Sequence, residues 1–538
     1  MPQGQSPSLL AKAEQIAREF DISPDHVRRV TEHFVGQLKD GLANARPWQL
    51  PTYVRSIPTG TEKGEFLAVD LGGSNCRICL VNLKGDSTFD VTQSKHIVPL
   101  SVMVCSSYRP LFDFIAQKLK EFLEKRQGLA GQPYYSLGFT FSFTCEQTSL
   151  ASGRLIHWDK GWNIPDALGR DPCSMLQDAI DKQGLPVRVT VLANDSVGAL
   201  LTRSYVSGPT TSTLAAMIFG TGTNAAYVEK LANVRRLAPT ASSDEIMVMN
   251  TEWGCFDDKL EVLPRAAFDD ELDAASTDPG SQMLEKRVSG LYLGELLRLT
   301  IIQLHRLGAF TMEINEKSAC FQRDGIDSSF VSKLAATGRA ESVISLVQDT
   351  LSAENTTTDD TRAIQLIAHS IARRAARLAG ASLAALVIQS GRLQSSYSES
   401  EFPDSKAGQD IITETSSRTS VHRFWQSLGL LWQRLLKFIG ICPVIRMSLG
   451  CRLQQNLSEG CAEEEIIDVG ADGSLIEFYP TFETEMRIAL REVPQVGAAG
   501  EKRVRINLTK DGSGVGAALI AQAASRTGKI EYQGAPTF

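Results

Sequence analysis

Long apolar runs, basic runs and the two commonest nucleotide-loop signatures are all missing from this sequence of 538 residues. The apolar stretch FWQSLGLLWQRLLKFIGI at 424–441 is interrupted by Gln426, Gln433, Arg434 and Lys437, so no membrane span is expected. The 55 Lys and Arg are outnumbered by 62 Asp and Glu, for a net charge of -7, and no basic run is long enough to track a phosphate backbone. Nucleic acid is therefore not expected as a direct partner. Ten cysteines are scattered through the chain and no signal-peptide pattern opens it, which points to reduced thiols rather than a disulfide framework. The expected location is the cytoplasm, with association with the nucleus or the mitochondrial surface in a regulatory protein. Cys76 and Cys79 form the one close pair, but in a strand they face opposite ways, which argues against a shared metal or redox site. Neither a GxxxxGK(S/T) loop nor a GxGxxG fingerprint occurs, so the P-loop and Rossmann routes to a nucleotide are not indicated.

What is present suits a globular α/β protein. Apolar residues make up 43%, enough for real cores in two to four domains of ordinary size. Leu10, Ala13, Ile16 and Phe20 share one helical face; Ser23-Pro24 then supplies an N-cap and first-turn proline for a second helix carrying Val27, Val30, Phe34 and Leu38. Residues 187–193 (VRVTVLA) read as a buried strand, and they run into Asn194-Asp195-Ser196 at the head of a small-residue helix. A carboxylate just past a strand's carboxyl end is where open α/β sheets put their chemistry. Asp195 could there accept a proton from a substrate hydroxyl, or it could simply cap the helix.

Two glycine turns extend the pattern. A strand at 66–70 enters Gly72-Gly73-Ser74-Asn75 before a second apolar run at 78–83, and the run AAMIF at 215–219 enters Gly220-Thr221-Gly222. Such turns let backbone N–H groups approach an anion, although a plain hairpin is the simpler reading of either one alone. Two of them about 150 residues apart suggest a duplicated fold holding one polyphosphate from both sides. Between them, Asp159-Lys160-Gly161-Trp162 forms a loop suited to clasping a substrate.

These residues carry a resemblance to the eukaryotic hexokinases, fungal members in particular. Its pieces are LAVDLGGSNCR ending at Arg77, LGFTFSF (137–143), ANDSVGAL (193–200), IFGTGTNAAY (218–227), NTEWGCFDD (250–258), PGSQMLEKRVSGLYLGELLRL (279–299) and LTKDGSGVGAAL (508–519). The resemblance implies the actin-like ATPase (ribonuclease H-like) fold, with two α/β domains around a cleft. It implies a small domain at 66–196 joined by a C-terminal helix at 513–538, a large domain at 197–512, and N-terminal helices at 1–65 packed on the large domain. It implies ATP-dependent phosphorylation of glucose or a related hexose at its 6-hydroxyl, the entry to glycolysis. The hexose pocket would use Ser142, Asp159, Lys160, Asn194, Asp195, Asn224, Glu252 and Glu285, with Asp195 as base and Lys160 steadying the transferred phosphoryl group. ATP phosphates would lie against Asp70, Gly72, Gly73, Ser74, Asn75 and Arg77 on one side and Gly220, Thr221 and Gly222 on the other, with Mg²⁺ near Asp70. Adenosine would sit by Gly512, Ser513 and Gly514.

The sequence departs from the resembled family at five points, two of them minor: Ser74 for the usual Thr and Val515 for the usual basic residue. Asp159 stands where the family usually has Thr, Trp162 where it has Phe, and Thr144 where it has Pro. An ionised Asp159 facing the sugar would lose a donor and crowd Asp195 with a second negative charge. That motivates a second expectation, a hexokinase-like regulator of carbon-source responses with impaired catalysis. After an expected strand at 383–389, a Ser/Asp/Glu-rich stretch and then 424–441 stand outside the resemblance, as an insertion at about 393–465. It reads as a docking helix for a regulatory partner, as a membrane-surface helix, or as an artefact of the gene model.

Overall fold

The computed structural model describes residues 8–73, 75–125, 134–158, 161–237, 245–393, 465–509 and 512–526. The expected insertion therefore lies almost wholly outside the described residues. Among them, no helix is long and apolar enough to cross a membrane.

The N-terminal helices form where the caps predict. Helix α1 (Leu9–Glu19) is capped by Ser8, and α2 (Pro24–Ala43) by the Ser23 hydroxyl with Pro24 in its first turn. The strands then build two sheets of matching topology. The first comprises β1 (Lys63–Leu71), β2 (Asn75–Lys84), β3 (Phe89–Ile97), β4 (Tyr135–Phe141) and β5 (Val187–Ala193), in the order β3-β2-β1-β4-β5. The second comprises β6 (Thr213–Phe219), β7 (Thr223–Lys230), β8 (Ile246–Asn250), β9 (Ile467–Asp472) and β10 (Val504–Leu508), in the order β8-β7-β6-β9-β10, with the short strand Leu50–Pro51 beyond β8. In each, a hairpin is followed by two parallel strands. This is the duplication that the paired glycine turns suggest. The parallel strands also bring the glycine turns, Ser142, Asp195 and Asp472 to the carboxyl ends of their sheets.

Alternation along the strands sorts the cores. Leu67, Val69 and Leu71 of β1 face the outer core with Leu111, Ile115, Leu119, Leu176 and Ile180, which belong to α3 (Arg109–Glu124) and α4 (Pro172–Lys182). Ala68 faces the opposite way. It packs with Val81, Ala216 and Ala226 around α5 (Asp195–Ser207) and the C-terminal helix, Gly512–Arg526. Cys76 and Cys79 fall in these two different cores, both buried and neither in a disulfide, as strand geometry requires. The outer face of the second sheet packs Met217 and Phe219 with α1, α2 and a long helix, Thr358–Gln389.

That long helix corrects one expectation. Residues 383–389 form its last turns, not a strand. Its sequence is rich in alanine, the best helix former, and burial on all sides over 374–387 erases the amphipathic pattern that would have announced this half.

The two central helices cross at glycine. A Cβ on Gly516 would lie 2.1 Å from the Gly198 Cα, against backbone that cannot yield cheaply. Gly516→Ala is expected to cost about 1–3 kcal/mol of stability, read as a lower melting temperature; an unchanged melting temperature would show that the helices separate freely.

Candidate active site

A cleft of about 610 Å³ opens at the carboxyl ends of both sheets. From the first sheet it takes Asp70, Gly72, Gly73, Asn75 and Arg77. Asp70 and Arg77 face each other across the β1–β2 hairpin, and Arg77 Nη1 donates to Asp70 Oδ2 at 3.2 Å. The same oxygen accepts the Ser513 hydroxyl at 2.8 Å. Burial pushes the Asp70 carboxyl above its ordinary range; the Ser513 hydroxyl and Arg77 oppose this, while the charge of Asp195 adds to it. Within the turn, the Gly72 N–H donates to the Asn75 carbonyl at 3.0 Å.

The second glycine turn is anchored from behind. Its Gly220 and Thr221 carbonyls accept the N–H groups of Gly290 and Leu291, at the start of the helix Gly290–Arg306. The Thr223 N–H donates to Glu285 Oε2 at 2.9 Å, tying the turn to that carboxylate. Thr221 and Gly222 line the cleft, with the Gly220 amide closing the turn onto the Gly222 carbonyl. Beside them β9 ends in Asp472-Gly473, where only glycine fits: φ is +113° and a Cβ would meet the Phe219 carbonyl at 2.3 Å.

A ladder of side-chain amides joins the two sheets. Asn194, rather than Asp195, is the N-cap of α5, and its Oδ1 accepts the Ser196 N–H at 2.9 Å and hydroxyl at 2.7 Å. That oxygen also accepts Asn224 Nδ2 at 3.1 Å, and Asn224 Nδ2 donates onward to Asn250 Oδ1 at 2.9 Å. Asn250 Nδ2 then donates to Glu252 Oε1 at 2.8 Å. Glu252 sits in the left-handed region, φ 47° and ψ 43°, a strained conformation for a residue with a side chain. Its N–H and its carboxylate are both held by Asn250. With the N-cap taken by Asn194, Asp195 places its half-buried carboxylate in the cleft at the first turn of α5.

Most residues expected from the sequence therefore come together: Asp70, Gly72, Gly73, Asn75, Arg77, Ser142, Asn194, Asp195, Thr221, Gly222, Asn224, Glu252, Glu285 and Ser513 all line this one cleft. Gly220, Gly512 and Gly514 are not among the residues that line it, although Gly514 borders a smaller recess with Asp70, Arg77 and Ser513. Gly512 and Gly514 lie at the start of the C-terminal helix, where a Cβ would press on Ala199 at 2.8 Å and on Cys79 Sγ at 3.2 Å, so close packing already favours glycine at both. Ser74, Asp159 and Lys160 lie outside the described residues. Asn250, Gln282, Arg323 and Asp472 were not anticipated. Asn250 is inside the NTEWG motif, where its register opposite Ala226 gives its side chain to the cleft side; Arg323 comes from a loop with no local signal.

The loop bearing Gln282 and Glu285 is braced by Asp258, whose Oδ1 accepts the Met283 N–H at 2.9 Å. Burial pushes the Asp258 carboxyl up to about 6. A carboxyl raised on folding favours its protonated form in the native state, so its contribution is full below about pH 4 and lost as pH rises through about 6. Asp258→Asn should remove that part of the melting profile between pH 4 and 7. An identical profile in the variant would show that the group does not titrate there.

Two matching sheets with a glycine turn from each on a shared cleft define the actin-like ATPase fold. Two family models, both described as hexokinase, match residues 12–205 and residues 214–428 with 435–523. The chain is 40% identical over 554 residues to a protein named glucokinase from Aspergillus niger, covering 97% of this chain and 98% of that one. It is 32% identical over 556 residues to glucokinase-1 of Saccharomyces cerevisiae, covering 96% and 97%. A solved structure of hexokinase from Schistosoma mansoni complexed with glucose matches with a TM-score of 0.73 at 28% identity, over 96% of this chain and 99% of that one. The chain belongs to the hexokinase family. The second model's match also runs through most of 393–465, the segment expected to stand apart from the resemblance.

Proposed function

We propose that this chain is a hexose kinase that transfers the terminal phosphoryl group of ATP to the 6-hydroxyl of glucose or a closely related hexose. The observation that carries the reading is the fork of amides and carboxylates, Asn194, Asn224, Glu252 and Glu285, gathered around Asp195 in a cleft that also receives both glycine turns. Donors and acceptors at fixed spacing suit a ring of sugar hydroxyls, and a substrate lacking one of them would leave buried groups unpaired.

On this reading Asp195 takes the proton of the attacking hydroxyl, and the glycine turns hold the phosphates so that the transfer is in line. Lys160 would steady charge on the moving phosphoryl group. Mg²⁺ would arrive with the nucleotide. Among the described residues no cluster of three metal-ligating side chains exists, which fits an ion that needs only one or two carboxylates and otherwise uses phosphate oxygens. Asp70 would face it indirectly, and the ion would supply neutralisation of phosphate charge.

Purified protein with ATP, Mg²⁺ and glucose, fructose, mannose or glucosamine in a coupled ADP-release assay tests this reading. ADP release that depends on hexose is expected, with glucose among the best substrates; release equal to the no-sugar control for all four would refute it. Nothing in the geometry or in the relatives favours the impaired-regulator reading.

A further inference from the structure

Trp162 is 5% exposed, and its indole ring stacks on Trp158 with centroids 5.5 Å apart and planes 11° apart. Phe143 meets it edge-on at 5.1 Å. Stacking alone would be served by any aromatic ring. The indole N–H does something else: it donates to the Gly73 carbonyl at 2.6 Å, reaching across 89 residues of sequence into the β1–β2 turn. The neighbouring Trp158 spends its N–H locally, on the Ile164 carbonyl at 2.9 Å. Two stacked tryptophans thus make opposite use of the same donor. One closes its own loop and the other joins that loop to the glycine turn.

We infer that Trp162 is a positioning residue that fixes the Gly72-Gly73 turn for the nucleotide through its indole N–H. Glycine leaves the backbone unusually free, so tethering the Gly73 carbonyl to the wall restricts the turn where it would otherwise be loosest. A turn held this way meets the phosphates already oriented, without reorganising when they arrive. The segment bearing Trp162 is itself fastened at the far side, where Asn163 exchanges backbone hydrogen bonds with Met103 and Cys105 at 3.0 and 3.1 Å. The tether therefore ends on a fixed point. Phenylalanine, which the resembled family has at this position, would keep the stack and lose the tether. The inference rests on the assignment of the glycine turns to ATP phosphates proposed above.

The test compares Trp162→Phe with Trp158→Phe in the full chain. Each variant keeps an aromatic ring and loses one indole hydrogen bond, so both should unfold cooperatively with similar, modest losses in melting temperature. Loss of a neutral hydrogen bond that orients the turn is worth about fivefold. Trp162→Phe should raise the KM for ATP by about fivefold and leave the KM for glucose within about twofold; Trp158→Phe should leave both within about twofold. Titration calorimetry with a non-hydrolysable ATP analogue should show the same fivefold difference in Kd. Equal ATP constants in the two variants, or a rise in both substrates' KM in Trp162→Phe, would overturn the inference, as would failure of the wild type to bind the analogue. A wild type that binds the analogue but phosphorylates no hexose would instead strike the proposed reaction, and the calorimetric comparison would still decide the role of Trp162.

Discussion

Asp195→Ala is expected to lower hexose phosphorylation by about 10²- to 10⁴-fold, the range a positioned general base contributes, and to leave the fold intact. The stability half of this result follows from where the residue sits. Asp195 is half-buried at the first turn of α5, the cap is made by Asn194, and the Ser196 N–H that Asp195 Oδ1 accepts at 2.8 Å is also accepted by Asn194 Oδ1 at 2.9 Å. Removing it gives up a favourable charge at a helix N-terminus, about 0.3–1 kcal/mol. It also relieves Asp70, whose carboxyl is raised in part by the Asp195 charge. The two effects oppose each other. Kinetics and a thermal melt on the same preparation check both halves, and activity within about tenfold of wild type would remove Asp195 from the role of base.

Asp269→Ala should destabilise the chain by about 3–5 kcal/mol without touching the cleft. Asp269 is 3% exposed and holds Arg374, which is fully buried, through two hydrogen bonds of 2.6 and 2.7 Å. It also accepts the Ala266 N–H at 2.8 Å. Arg374 lies 4.8 Å over the ring of Phe20, which brings α1 onto the same site. Alanine would strand this guanidinium beside a second buried one, Arg287, whose pKa burial already lowers to about 10. Burial pushes the Asp269 carboxyl up, but the charge of Arg374 and its hydrogen bonds hold it below the ordinary carboxylate value. A depressed carboxyl stabilises the fold above its unfolded pKa and ceases to do so as pH falls through the native one. The melting gap between wild type and variant should thus be constant from pH 7 to about 4 and close below that. A gap that is small at pH 7 would mean that water reaches Arg374 when its partner is removed.

How far the sequence discloses this protein depends on how local each signal is. The strand 187–193 and the Asn194-Asp195 junction are legible because β-branched residues and a capping amide are adjacent in sequence. The duplicated hairpins are legible through two glycine turns, and α1 and α2 through their serine caps. The second half of the helix at 358–389 is not, because residues 374–387 are buried all round and show no polar face, and its terminal Leu-Val-Ile mimics a strand. Gly512 and Gly514 are ambiguous for a related reason. Glycine marks close backbone approach to a ligand or to another helix alike, and the contacts with Ala199 and Cys79 show only the second of these. Asn250 supports the cleft's Asn224 and Glu252 through strand register, and Arg323 lines the cleft from a distant loop, which no spacing within their own segments encodes.

Phosphorus NMR of a reaction containing ATP, Mg²⁺, glucose and the purified chain tests the central claim most directly. Loss of the ATP γ-phosphate resonance matched one-to-one by ADP and by a sugar monophosphate coupled to the hexose C6 protons is the predicted spectrum. ADP with inorganic phosphate and no sugar phosphate, or an unchanged ATP spectrum, would contradict it.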